Sequence, residues 1–151
     1  MMSSLDNKWH LEQDRKFQIL QNLRLIVVDD HEDCLELVKF TFQGYGMQVV
    51  TALSAGEAFE VIKQFQPDIL ISDIAMPKED GYYLIHKIRN LPSPLGDIPA
   101  IALTSLATEE HRICLLKAGF QVYLSKPVNL DELVDSVVDL ARVAIIKRSA
   151  A

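Results

Sequence analysis

At 151 residues the chain has room for one domain with a substantial core, and a hydrophobic fraction of 49% places it with globular rather than disordered sequences. Its formal charge of −6 excludes the broad basic face that nucleic acid or an anionic membrane requires of a main partner. No apolar run approaches the ~18 residues of a membrane span, the polar start "MMSSLDNKWHLEQDRK" is not a signal peptide, and the isolated Cys34 and Cys114 read as reduced, buried thiols of a cytoplasmic protein.

In chain order, "LDNKWHLEQDRKFQILQNL" sets Trp9, Phe17 and Leu20 in a loose helical pattern. Residues 1–22 are expected as an N-terminal extension, either an amphipathic helix that docks or dimerises or a mobile tail, and the pattern favours the helix. Leu25–Val28 then reads as a strand buried on both faces, running into the adjacent acids Asp29 and Asp30. A helix over Asp33–Gln43 follows, carrying Leu35, Val38 and Phe42 on one side and stopping at Gly44. The mixed strand Gln48–Ala52 suits a sheet edge. Ser54 and Glu57 have capping-box spacing for a helix over Ala55–Phe65. Strand Ile69–Ser72 leads to Asp73, and helix Tyr82–Asn90 follows Gly81 and ends before the turn-rich "LPSPLGDIP". Strand Ala100–Leu103, helix Glu109–Ala118 behind Thr108, strand Gln121–Leu124 and helix Leu130–Ile146 behind Asn129 complete the series.

A strand–helix alternation repeated five times implies a parallel sheet with helices on both faces, and five such units fit a doubly wound α/β fold of strand order 2-1-3-4-5. The expected organisation is the extension at 1–22, one domain at 23–147 and a tail at 148–151. Ligands of such sheets bind where the strands end at their carboxyl edge. Asp29, Asp30, Asp73, Thr104 and Lys126 all fall there. Three converging carboxylates repel one another unless a cation sits between them, and a hard divalent cation such as Mg2+ takes oxygen ligands of this kind. Asp73 is then placed to attack a phosphoryl group, with Lys126 as a point charge and Thr104 as a hydrogen-bond donor for its oxygens. Taken singly, each residue has an ordinary explanation as a cap, a β-former or a solvated loop residue. Their arrival on one edge argues against five coincidences.

The pieces "LIVVDDHED", "ILISDIAMPKEDGYYLIHKIR", "IPAIALTS" and "AGFQVYLSKPVNLDEL" resemble the receiver domain of two-component response regulators, over about Leu23 to Ile146. The resemblance implies a flavodoxin-like receiver fold, and with only "KRSAA" after the last helix the expectation is a stand-alone domain of the single-domain type. It implies that Asp73 accepts a phosphoryl group from a histidine kinase or a histidine phosphotransfer protein. It implies a Mg2+ site made by Asp29, Asp30, Asp73 and the main-chain carbonyl of Ala75, with Thr104 and Lys126 binding the phosphoryl group. It also implies a cis bond between Lys126 and Pro127. Tyr123 matches the family's switch aromatic, so that Thr104 and Tyr123 together would alter the surface made by the fourth helix, fifth strand and fifth helix of the series, and so control a downstream protein partner.

Two positions depart from the common pattern. Ala75 lacks a polar side chain and Leu106 is apolar, and both places bear on the lifetime of the phosphorylated state. His31, His86 and His111 read as helix-surface or cap residues, with His10 in the extension. On the last helix, Val138 and Ile145, with Arg142 between them, lie off the apolar stripe and suggest an interface for a homodimer or another protein, unless the extension folds back over them. Two other functions fit the same residues: a relay intermediate that passes its phosphate to a histidine phosphotransfer protein, and a Mg2+-dependent phosphatase with an aspartyl nucleophile. A non-reacting scaffold would not need all five edge residues. The expectation is a switch that catalyses its own phosphorylation and dephosphorylation and no other reaction.

Overall fold

A computed structural model describes residues 4–106 and 108–150, the side chains of 147–150 excepted. The first three residues of the extension, Ala107 and Ala151 of the tail lie outside the described residues, as do the side chains of the Lys147–Arg148 pair. The elements run α1 Ser4–Leu20, β1 Arg24–Val28, α2 Glu32–Gln43, β2 Gln48–Ala52, α3 Ala55–Phe65, β3 Ile69–Asp73, α4 Gly81–Arg89, a 3-10 turn Leu95–Asp97, β4 Ala100–Thr104, α5 Glu109–Ala118, β5 Val122–Ser125 and α6 Leu130–Ala150.

The five strands are parallel in the order β2-β1-β3-β4-β5, and β2 lies at an edge. Successive residues of a strand point to opposite faces, so each central strand feeds two cores. Leu25, Val27, Ile69, Ile71, Ile101 and Leu103 face α2 and α6. Ile26, Val28, Leu70, Ala100 and Ala102 face α3, α4 and α5. Four helix starts carry side-chain caps: Ser54 accepts from the Glu57 N–H, Asp80 from the Tyr83 N–H, Thr108 from the His111 N–H and Asn129 from the Glu132 N–H.

Helix ends differ from expectation by a residue or two, with one larger difference. The last helix does not stop at Ile146 but continues to Ala150, through the stretch assigned to a tail. The extension folds back as α1 along α6. Leu20 is fully buried in the first core, Phe17 stands over Gly46, Tyr45 donates to Gln13, and Lys16 pairs with Asp135 at 3.0 Å.

Far from the carboxyl edge of the sheet, Arg89 joins three segments. Its Nε and Nη2 donate to the Gly119 carbonyl, and its Nη1 donates to that of Gly96. Burial holds its guanidinium below the usual arginine range, against the opposing charge of Asp97.

Candidate functional site

β1 and β3 are neighbours, with Val28 level with Ser72, so Asp29 and Asp73 leave the sheet side by side. Both are buried, at 0% and 2% exposure. β4 adds Thr104, 4% exposed, level with Ser125 of β5, and the Thr104 carbonyl accepts from the Lys126 N–H. Four neighbouring strands thus deliver the residues that the sequence spaces widely. The Lys126–Pro127 bond is cis.

The turn behind Asp73 is tightly fitted. The Gly81 N–H donates to the Ile74 carbonyl, Asp80 caps α4 through the Tyr83 N–H, and Ala75 is exposed. A methyl group at Gly81 would stand 2.7 Å from the Asp73 carbonyl oxygen. Only glycine lets α4 begin that close to the strand end.

Lys126 reaches across the cleft, with Nζ 3.1 Å from Asp73 Oδ1 and 3.5 Å from Asp29 Oδ2. Burial alone would lower its pKa, but the bond to Asp73 and the charges of Asp29 and Asp73 outweigh it and raise it. Lys126 therefore stays charged throughout the neutral range. The two buried acids are driven in opposite directions. Burial raises both. For Asp29, hydrogen bonds from the His31 N–H and Cys34, with the charge of Lys126, reverse the sign and bring its pKa below the ordinary value. For Asp73, Lys126 does not fully offset burial and the neighbouring Asp29 and Asp30, and its pKa lies above the ordinary value.

One lysine does not satisfy three carboxylates. Asp29 Oδ2 and Asp30 Oδ1 are buried without a hydrogen-bond partner, since Lys126 Nζ, 3.5 Å from the first, and the His31 ring, 3.2 Å from the second, stand close without bond geometry. One ligand atom from each of Asp29, Asp30, His31 and Asp73 lies within 4.8 Å of the others. Orphaned carboxylate oxygens in such a cluster fit a hard divalent cation.

Thr104 faces the other way. Its Oγ accepts from the Leu106 N–H at 3.1 Å and lies 3.0 Å from His111 Nε2, while His111 Nδ1 is 3.1 Å from the Tyr82 hydroxyl. Leu106 is 60% exposed rather than folded over the cleft. Tyr123 is half-buried against the second core.

Several expectations need correction. His31 is the exposed N-cap residue of α2, as read, but it also stands beside two acids, and His111, in the first turn of α5, is half-buried rather than a plain surface residue. His31 adjoins Asp29 and Asp30, and His111 meets Thr104. Only the run "DDH" hinted at the first. The second contact spans the β4–α5 loop and has no periodic signal. His86 and His10 are exposed as read. Cys34 is half-buried, and burial together with Asp29 pushes its thiol up to about 11, while Cys114 is exposed rather than buried. Val138 is not an open flank: it is 5% exposed, in the first core with Leu20, on the side of α6 where Glu12, Arg15 and Lys16 of α1 lie. Arg142 and Ile145 remain exposed.

The profile described as the response regulator receiver domain matches residues 25–138. An uncharacterised 14.6 kDa protein of Leptolyngbya boryana is 42% identical over 78% of this chain and 88% of its own length. The transcriptional regulatory protein PrrA of Mycobacterium bovis is 34% identical, over 79% of this chain but only 50% of PrrA. Among solved structures, a response regulator of Chloroflexus aurantiacus superposes with a TM-score of 0.74 at 32% identity, covering 81% of this chain and 99% of that one. The CheY-like receiver domain protein of Methanospirillum hungatei gives a TM-score of 0.77 at 26% identity, covering 84% and 99%.

Proposed function

Because the chain belongs to the response regulator receiver family of two-component signalling, we propose that it is a switch phosphorylated on Asp73. The donor is the phosphorylated histidine of a histidine kinase or phosphotransfer protein. An Asp73 carboxylate oxygen forms a bond to phosphorus as the phosphorus–nitrogen bond breaks, and the departing imidazole takes up a proton. Lys126, already beside Asp73 and charged, pairs with the phosphoryl oxygens. The Thr104 hydroxyl donates to another of them.

Asp29, Asp30, Asp73 and the Ala75 carbonyl would hold Mg2+, which supplies neutralisation of the negative charges that meet at the cleft. The observation that carries this reading is the pair of orphaned oxygens on Asp29 and Asp30 beside an Asp73 carboxylate whose burial and acidic neighbours outweigh Lys126.

The output is a changed α5–β5–α6 surface, with Tyr123 on its strand, offered to a protein partner. On α5 only Leu115 is buried, while Ile113 and Leu116 are exposed. The chain acts in the cytoplasm, where kinases of this class present their phosphohistidine. Incubation with acetyl phosphate, with and without Mg2+, tests the proposal by intact mass and peptide mapping. One metal-dependent phosphoryl adduct on Asp73 is the expected result. An adduct elsewhere, or turnover to free phosphate with many different phosphorylated substrates, overturns it.

A further inference from the structure

Thr104 Oγ has one proton to give and two lone pairs to offer. The Leu106 N–H already occupies one lone pair. The best-placed acceptor for the proton is His111 Nε2 at 3.0 Å, ahead of the Leu106 carbonyl at 3.4 Å. One of the two tautomers of His111 commits the Thr104 proton to its ring. His111 Nδ1–H donates to Tyr82 Oη, His111 Nε2 accepts from Thr104, and Thr104 accepts from Leu106. The bond at the far nitrogen of an imidazole fixes which nitrogen is free to accept: where Tyr82 accepts from Nδ1–H, Nε2 captures the Thr104 proton, and where Tyr82 donates to Nδ1, Nε2–H donates to Thr104 Oγ instead. An edge-on contact of the Tyr82 and His111 rings, 6.0 Å between centroids, holds the pair in register.

From this arrangement we propose that His111 is a latch on the switch, which holds the Thr104 hydroxyl away from the phosphoryl site. The inference rests on the phosphorylation proposed above. A phosphoryl oxygen on Asp73 is an acceptor and needs the same single proton that His111 holds. The two bonds exclude each other, and phosphorylation must break the Thr104–His111 bond. His111 stands in the first turn of α5 and Tyr82 in the first turn of α4. The latch therefore ties the end of β4 to both helices, and its release frees the start of α5. His111 is a positioning residue: it touches neither Asp73 nor the metal cluster.

The test uses beryllium fluoride with Mg2+, a tetrahedral phosphoryl mimic, titrated against the full chain and read by NMR shifts of the Leu106 and His111 amides. His111→Ala should bind the mimic about two- to tenfold more tightly, the worth of one net hydrogen bond. His111→Phe, which keeps the ring and loses Nε2, should match it and serves if the alanine variant folds poorly. Tyr82→Phe should shift affinity the same way by less.

The diagnostic is the double variant. In a Thr104→Ala background, His111→Ala should give no gain, because the bond it releases is already gone. Unchanged or weaker binding by both His111 variants overturns the latch, as does an equal gain in the Thr104→Ala background. A wild-type chain that takes no mimic overturns the phosphoacceptor reading and the latch together. Tight wild-type binding without a His111 effect removes the latch alone.

Discussion

Asp29 and Asp73 on one side of the cleft and Thr104 on the other all stand at the ends of buried parallel strands, yet they are held by opposite means. The acids are crowded by charge: Lys126 bridges two of them, and two carboxylate oxygens are left without hydrogen bonds. Thr104 is satisfied, with its hydroxyl bonded into the β4–α5 loop and α5. One half keeps carboxylate oxygens that a divalent cation would satisfy. The other is complete and must be undone. On the function proposed above, reactivity would belong to the half with unmet electrostatic demand, and signalling to the half whose bonds can be exchanged.

The harshest way to break the comparison is Asp73→Asn. It removes the attacking oxygen charge at nearly constant volume, and acetyl phosphate labelling should fall to nothing while Thr104→Ala still labels. Next comes the metal. With Mg2+ at about a hundredfold over its Kd, binding to the folded state alone adds about 2.7 kcal/mol, read as a rise in Tm. Asp30→Asn should lose part of that rise and Asp30→Ala more, whereas Thr104→Ala should keep it.

Within the acid half, the two buried aspartates should diverge without metal. Asp29 titrates below its ordinary value in the folded chain, so its charge stabilises the fold above the unfolded pKa, and that contribution is lost as pH falls through the folded pKa. Asp73 titrates above its ordinary value, so its charge costs stability at neutral pH, and the cost disappears as pH falls through its folded pKa. Metal-free melting at pH 7 should therefore show Asp29→Asn lowering Tm and Asp73→Asn raising it. A common sign for both would show that burial, not the local partners, sets their energies.

The smallest effect lies outside both halves. Lys16 and Asp135 pair at the α1–α6 contact, where Asp135 is 63% exposed, and such pairs contribute less than about 1 kcal/mol. Burial works against the Lys16 charge, but Asp135 more than offsets it and raises the pKa. Lys16→Ala should thus lower Tm slightly at neutral pH. Its difference from wild type should vanish once pH rises through the folded lysine pKa.

The acid half was legible because a parallel sheet brings all its strand ends to one edge. Once "LIVVDD", "ILISD", "AIALT" and "VYLSK" read as strands, the meeting of Asp29, Asp73, Thr104 and Lys126 needed no further information. The hydroxyl half was only partly legible. Thr104 came with its strand, but His111 reaches it across a loop whose path no periodicity encodes. His31 was passed over because one residue beyond a strand end has no preferred direction. The α1 contact stayed open for a different reason. Phe17 and Leu20 indicate that a helix wants a partner, but nothing local says that the partner is the flank carrying Val138. Cys114 was misjudged because cysteine is commonly buried, and α5 turns only Leu115 fully inward.

Arg89 gives α5 a fulcrum. The Gly119 carbonyl, one residue past the end of that helix, receives two of its guanidinium N–H groups, while the other end hangs on His111 and the Thr108 cap. Ten residues at 1.5 Å each make a rod about 15 Å long. Turned by about 4° around the Arg89 end, the rod moves its tip about 1 Å and its anchored end almost not at all, by the same geometry. A hydrogen-bond exchange at Thr104 of the kind proposed above would be converted by this geometry into a displacement graded along α5. Ile113, nearer the tip, would travel farther than Leu116, nearer the pivot.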